Sequence, residues 1–320
     1  MPLERFHITA TGHSLNYLPE YIARRHGFFA AQGLAVSVSV PSPWDLVLSD
    51  LAGGTADAAL GGVWVPSMYH ARVRKYTAFA QVANRAPLAL VGRSGALEKE
   101  NWRVRDVAGR TVLMKGSNGA SVGLFFKMLL RENGIDPKAV NYVQDLDGVM
   151  LGELFVGGLG DYLLVDNLSA RALVERNPGL VVVFETAVHG GDVPWSVYYR
   201  ETLTITPEVL DAHERFCVAL GQGMDWVLQH DAEAFRDELA EIFPKVPVQV
   251  AVDLTNVFRN NNMWTSPTVD RKGYGRWQKG IADGHLVKEP LTYEDIVDNR
   301  PATAAQERQV SPCLAGAKTP

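Results

Sequence analysis

Apolar strand patterns and amphipathic helical patterns alternate along most of this chain, and that alternation restricts its fold more than any other feature. "FHITAT" reads as a strand. "LPEYIARRHGFFAAQG" reads as a helix, with apolar positions at Leu18, Tyr21, Ile22 and Phe29 and Gly33 at its end, and "AVSVSVP" as a strand of strict period two. "SPWDLVLSDLAGG" follows as a helix entered through Ser42 with Pro43 at its first position. Then come a short buried strand, "ADAALGG", a helix from Pro66, and the strands "TAFAQVA" and "LALVGR". A polar, mixed stretch at 94–109 interrupts the theme, and "RTVLMKGSNGASVGLFFKMLLRENG" restarts it as strand, turn and helix. "AVNYVQ", a helix reaching Phe155, the Gly-rich "VGGLGDYLLVDN" and a further strand–helix unit ending in "LVVVFET" complete the second run. "GGDVPWSVYYRE" carries the chain onward; from Pro207 to about Gly284 the pattern is helical, and the last residues read as a mobile tail. Strand–helix units of this kind build mostly parallel sheets with helices on both faces, so two runs predict two α/β domains.

Composition narrows the function classes. With 47% hydrophobic and 21% charged residues the chain is an ordinary globular sequence, and its net charge of -5 gives no bulk reason to bind nucleic acid or an anionic membrane. Of the two cysteines, Cys217 lies in an apolar helical pattern and Cys313 in a polar tail, which argues against a disulfide framework. No run of about 18 apolar residues is present, so no direct membrane insertion is expected. The opening "MPLERFHITATG" has no signal-peptide pattern; the chain as written is expected in the cytoplasm, or in the periplasm if a leader preceded it.

In open α/β sheets ligands lie beyond the carboxyl ends of the strands, where loops enter helices. Five such turns stand out. "TGHSLNY" offers Ser14 and nearby N–H groups for an anionic or carbonyl oxygen, and Tyr17 as ring and hydroxyl; the plainer reading is that Ser14 or Asn16 caps the helix. His13 is either a polar loop residue or an acid/base. "PSPWDLV" presents Trp44 as a stacking wall or as packing, and Asp45 at a helix start, where its charge suits the dipole. "LGGVWVPS" lets a ligand approach the backbone at Gly61 and Gly62 and presents Trp64, although glycine pairs also serve tight turns. "MKGSNGASVG" places Gly116, Ser117, Asn118, Gly119 and Ser121 where they would cradle an anion, without the spacing of a Walker loop or a dinucleotide fingerprint. "LLVDN" and "DVPWSVYY" add Asp166, Asn167, Trp195 and Tyr198; the first two would recognise amine or amide edges or cap the following helix. The eight histidines show no paired metal spacing and no G-x-S-x-G elbow exists, so neither a metal nor a cofactor is expected.

The segments "LPEYIARRHGFFAAQGLAV", "GGTADAALGG", "KGSNGAS", "GGLGDYLLVDN" and "GHLVKEPLTYEDIVDN" together resemble the family of aliphatic-sulfonate, nitrate and thiamine-pyrimidine-precursor binding proteins of ABC importers, over residues 6 to about 300. The resemblance implies a type II periplasmic-binding-protein clamshell. Domain I would be formed by 1–92 and 192–300, domain II by 93–191, with a flexible tail at 301–320 and a small-molecule ligand between the lobes. Its partner, if the chain is exported, would be an ABC transporter permease. Hydroxybiphenyl-sulfinate desulfinases share the fold and resemble this chain around "GFF" and in the "GGxxxP" turn. Their nucleophilic cysteine falls at Ser14 here and their substrate-gripping arginine at Ala59, which argues against desulfination by that route. The cysteine-rich segment of the thiamine-pyrimidine synthases is absent.

The expectation is therefore a binding protein for a small aromatic or anionic solute. Helix starts at Ser14, Ser42 and 117–121 would hold oxygens, Trp44, Trp64 and Trp195 would wall a ring, and Asp166 and Asn167 would select polar edges. The alternative is a cytoplasmic lyase or hydrolase on the same fold, a decarboxylase or desulfinase, with His13 as acid/base beside Ser14.

Overall fold

Ten strands form two five-stranded sheets in the computed structural model, which describes residues 2–94, 101–115, 121–144 and 148–315. The first sheet contains β1 (Glu4–Ala10), β2 (Leu34–Ser39), β3 (Ala58–Gly61), β4 (Tyr76–Ala83) and β10 (Ser196–Glu201), in the order β2-β1-β3-β10-β4. The second contains β5 (Leu88–Arg93), β6 (Thr111–Met114), β7 (Asn141–Val143), β8 (Tyr162–Asp166) and β9 (Leu180–Glu185), in the order β7-β6-β8-β5-β9. Each sheet has one strand opposed to its neighbours: β10 runs antiparallel to β3 and β4, and β5 antiparallel to β8 and β9. The mostly parallel two-lobe α/β architecture expected from the alternation is present.

Local chemistry sets the details. The helix expected at 18–33 is split in two, Leu18–Arg25 and Phe28–Ala31, because Gly27 adopts φ +74°, a left-handed value at which glycine ends a helix without strain. Pro43 precedes a 3-10 turn (Trp44–Leu46) rather than opening the α-helix, which begins at Val47. The helix expected from Pro66 starts two residues earlier, at Trp64, so the proline sits in its first turn where its missing N–H leaves no bond unmade. β10 has no strand pattern in the sequence; Tyr198 and Tyr199 are both fully buried in it, since the strand lies inside the sheet.

The chain crosses between the sheets at 84–87 and returns at 186–195. The expected boundary at 92 falls inside β5, which is hydrogen-bonded into the second sheet, so the crossing comes before that strand. The two crossings are tied together. Thr186 Oγ1 lies 2.6 Å from Ala86 O and 3.0 Å from Leu88 N, Arg85 Nε donates to Asp192 Oδ1 at 2.7 Å, and Val193 N donates to Asn84 O at 2.9 Å.

Behind the sheets lie long helices. The helix Pro207–Gln229 packs under the first sheet, with Phe216 stacked on Phe6 and on Phe29 at 5.0 Å between centroids. Cys217 is buried there as core. The helix Arg271–Asp283, placed in domain I by the expected division, packs on the second lobe's helix Ser121–Glu132: Trp277 meets Phe125 at 5.7 Å and Arg276 grips Glu132 at 2.6 and 2.8 Å. The expected flexible tail is a correction. Residues Arg300–Ala315 form an α-helix against Pro207–Gln229, because Ala302 and Ala305 are small enough to bury and Arg308 pairs with Glu214 at 2.6 Å. Among the described residues no helix is long and apolar enough to cross a membrane.

Candidate functional site

A cavity of about 940 Å³ lies between the lobes, at the carboxyl ends of β1, β3, β6 and β8. Of the residues singled out from sequence, His13, Ser14, Tyr17, Trp44, Gly62, Trp64, Ser121, Asp166 and Trp195 line it. Gly116, Ser117 and Asn118 lie outside the described residues.

The turn after β1 forms a hydrogen-bonded floor. Ser14 Oγ donates to Asn16 Oδ1, Asn16 Nδ2 donates to Ser196 Oγ at 3.1 Å, and Trp264 Nε1 donates to Asn16 O at 2.9 Å. Neither Ser14 nor Asn16 makes a side-chain cap; their polar groups instead fix this floor to β10 and to the loop before Arg271. Tyr17 is buried beside them, its hydroxyl in contact with Thr11 and Ser196; burial raises its pKa, and those two hydrogen bonds oppose the rise. It is a neutral donor at any ordinary pH.

His13 is pinned. Its Nε2 lies 2.9 Å from Ile242 O, so that nitrogen carries the hydrogen, and the ring stacks on Tyr21 at 4.9 Å and tilts against Phe243 at 5.0 Å. Tyr21 in turn accepts from Ser14 N at 3.1 Å. The hydrogens of His13 Nε2 and Ser14 Oγ are thus directed to Ile242 and Asn16, and the nucleophile–base hydrogen bond required by the hydrolase alternative is not formed.

Three tryptophans supply walls. Trp44 and Trp64 meet edge to face at 5.8 Å, and Trp195 stands against Phe125 at 5.6 Å and Trp277 at 6.0 Å. Gly62 has a specific reason to be glycine, since a Cβ there would fall 2.4 Å from Trp64 Cδ1.

Four expected positions have other roles. Gly61 belongs to β3, pairs with Val197, and leaves room for Thr11, whose Cγ2 would be 2.9 Å from a Cβ. Asp45 and Ser42 are exposed and do not line the cavity, because the 3-10 turn directs Trp44 inward instead. Asn167 is fully buried beneath the cavity, its Nδ2 donating to Glu185 Oε1 at 2.9 Å and its backbone N–H to Pro87 O at 2.8 Å, so it anchors a crossing segment. Of the two readings of Asp166 the cap is observed, Oδ1 accepting from Ser169 N at 2.9 Å at the start of the helix Asn167–Arg176, and the residue also lines the cavity.

Sequence reading missed two lysines. Lys115 follows β6 in the second lobe, and Lys245 sits in the loop between the helices Arg236–Ile242 and Val248–Asn260 in the first. Neither has a hydrogen-bond or ion-pair partner among the described residues. The signal for Lys245 was "FPKVP", where Pro244 and Pro247 interrupt a helical stretch. Among the described residues no group of three or more His, Cys, Asp or Glu is placed to hold a metal ion.

The family model described as "NMT1/THI5 like" matches residues 14–234, more than half the chain, from Ser14 in the turn after β1 through both tryptophan turns and Trp195. The chain belongs to the NMT1/THI5-like family. The Bacillus subtilis protein described as "Putative binding protein YtlA" is 26% identical over 302 residues, covering 92% of this chain and 88% of its own. The alkanesulfonate-binding protein SsuA from Xanthomonas axonopodis pv. citri, solved bound to MOPS, superposes with a TM-score of 0.69 at 13% identity, over 93% of this chain and 99% of that one. The periplasmic nitrate-binding protein NrtA from Synechocystis PCC 6803 superposes with a TM-score of 0.63 at 14% identity, over 99% and 90%. The NMT1/THI5-like chain therefore has the type II periplasmic-binding-protein fold.

Proposed function

We propose that this NMT1/THI5-like protein is the solute-binding component of an ABC importer and holds a small aromatic or anionic solute between its lobes, delivering it outside the cytoplasmic membrane to a permease. The observation that carries this is the cleft itself: aromatic walls from Trp44, Trp64 and Trp195 with one lysine on each side that has no partner among the described residues, Lys115 in the second lobe and Lys245 in the first. A negatively charged ligand would draw the two lobes together, because its charge is shared by groups that only closure brings to it. The names of the solved structures, for sulfonate and nitrate binding, agree with an anionic ligand, and YtlA carries the description "Putative binding protein". The separate commitments of His13 and Ser14 favour holding over turnover.

The test is a thermal-shift screen of the full chain against sulfonates, aromatic carboxylates, pyrimidines and nitrate, with mass spectrometry of every stabilising compound after incubation. Binding to the folded state alone must raise the melting temperature. Stabilising compounds recovered unchanged are the expected result; their consumption would put the lyase or hydrolase reading in place of this one.

A further inference from the structure

We infer that the solute is an aromatic acid whose ring also carries a hydrogen-bond donor, an amino or hydroxyl group, and that Asp166 reads that donor while Lys115 reads the acid. The inference rests on the solute-binding reading above and narrows its ligand.

Lys115 and Asp166 lie at the carboxyl ends of two interior strands of the second sheet. β6 and β8 are parallel neighbours in which Met114 pairs with Leu164, so Lys115 leaves its strand one residue beyond that pair and Asp166 two residues beyond it. Both line the cavity. The two do not pair with each other: Asp166 makes its helix cap through Oδ1, and Lys115 has no partner among the described residues. Asp166 Oδ2 and the Lys115 ammonium are therefore both left for something entering the cleft. A carboxylate accepts and never donates at neutral pH, so Asp166 selects for an N–H or O–H on the ligand and repels a second acid.

Charge balance sets the overall ligand charge. Among the described lining residues two ammonium groups, Lys115 and Lys245, stand against the single carboxylate of Asp166, which leaves one positive charge over among them. A monoanion with a neutral donor matches it, whereas a dianion would place its second charge against Asp166 and a zwitterion would leave the excess lysine unanswered. The ring follows from the walls, since Trp44 and Trp64 meet at 60° and Trp195, in the returning crossing segment, lines the same cavity.

The experiment is calorimetric titration of the full chain with benzoate, the three aminobenzoates, the three hydroxybenzoates, methanesulfonate and nitrate, in the wild type and in Lys115→Met and Asp166→Asn. Asparagine keeps an oxygen for the Ser169 N–H cap, so Asp166→Asn removes the charge without removing the helix start. The expected result is one donor-bearing isomer bound at least about tenfold more tightly than benzoate, a difference that disappears in Asp166→Asn without any weakening of benzoate, because loss of the carboxylate charge favours an anion. Lys115→Met should weaken benzoate and that isomer alike. Benzoate matching every isomer, or Asp166→Asn lowering all the acids together, overturns the inference. Binding of methanesulfonate or nitrate without any benzoate overturns it too and leaves the solute-binding reading standing. Consumption of a bound acid overturns that reading itself.

Discussion

Gly62 lies against the indole of Trp64 so closely that a Cβ at position 62 would meet Trp64 Cδ1 at 2.4 Å and Nε1 at 2.5 Å. The wall of the cleft is thus set by the absence of one methyl group, two residues upstream of the ring. Gly62→Ala should push the Trp64 ring out of its edge-to-face contact with Trp44 and weaken an aromatic solute about tenfold, an effect of the size of one lost aromatic contact. Titration of the variant, with its melting temperature as the control for folding, checks this. Unchanged affinity would show that the ring is not part of the grip.

Two glycines inside helices make opposite predictions. Gly275 is exposed in Arg271–Asp283, and a methyl group added there would have nothing within 4 Å, whereas Gly223, in Pro207–Gln229, would put a Cβ 2.3 Å from Pro19 O and 3.0 Å from Ala23 Cβ. Gly275→Ala should stabilise by about 0.5–1 kcal/mol through reduced backbone entropy of the unfolded chain. Gly223→Ala must separate two packed helices and should destabilise by about 1–3 kcal/mol. Urea unfolding of both variants reads the two signs in one experiment.

Burial on one face or on two decides which parts of this molecule are legible in its sequence. A strand such as "AVSVSV" alternates half-buried Val36 and Val38 with exposed Ala35 and Ser37, so its periodicity declares it, and the turns that follow such strands fall where the sheet geometry puts a ligand. β10 has no such signature: Ser196, Val197, Tyr198 and Tyr199 are all buried, and a strand covered on both faces has no alternation to read. Lys245 was hidden for a different reason, since it reaches the cleft from a loop far along the chain, and only tertiary packing brings 242–246 opposite the turn at His13. Asn167 failed as a site residue because sequence shows a polar side chain in a turn but not that Glu185 and Pro87 will enclose it. The C-terminal helix escaped because its alanines bury against Pro207–Gln229 without an apolar stripe of their own.

His213 should make the protein acid-sensitive. It is fully buried in Pro207–Gln229, stacked on Phe79 at 3.7 Å, and neither ring nitrogen has a hydrogen-bond partner among the described residues. Burial pushes its pKa down to about 3, Arg200 adds to the fall, and Asp298 opposes it. The folded protein therefore keeps this ring neutral while the unfolded chain protonates it near pH 6.5. Its contribution is complete above that value and declines as pH falls toward 3, by about 2 kcal/mol at pH 5. His213→Phe should flatten the loss of stability between about pH 6.5 and pH 4 in urea titrations; an unchanged slope would mean that other groups carry it.

The crossing segments give the last prediction. Thr186 is buried between them, and its hydroxyl lies 2.6 Å from Ala86 O and 3.0 Å from both Leu88 N and Leu88 O. A single hydroxyl has one hydrogen to donate and lone pairs to accept with, so it satisfies a carbonyl of the outgoing crossing and the Leu88 N–H together. Thr186→Val keeps the shape, since a methyl replaces the hydroxyl, but leaves that buried N–H without a partner, at a cost of about 1–3 kcal/mol. Thr186 does not itself line the cavity but its partner Leu88 does, so solute affinity in the cleft should fall modestly, through a displaced Leu88 and altered closure. Comparing urea unfolding with small-angle scattering, with and without a solute that stabilises the wild type, separates the two effects. The expected outcome is lower stability in both states and a smaller ligand-induced contraction. Full contraction at reduced stability would restrict Thr186 to holding the fold, and would place the bending elsewhere along 84–87 and 186–195.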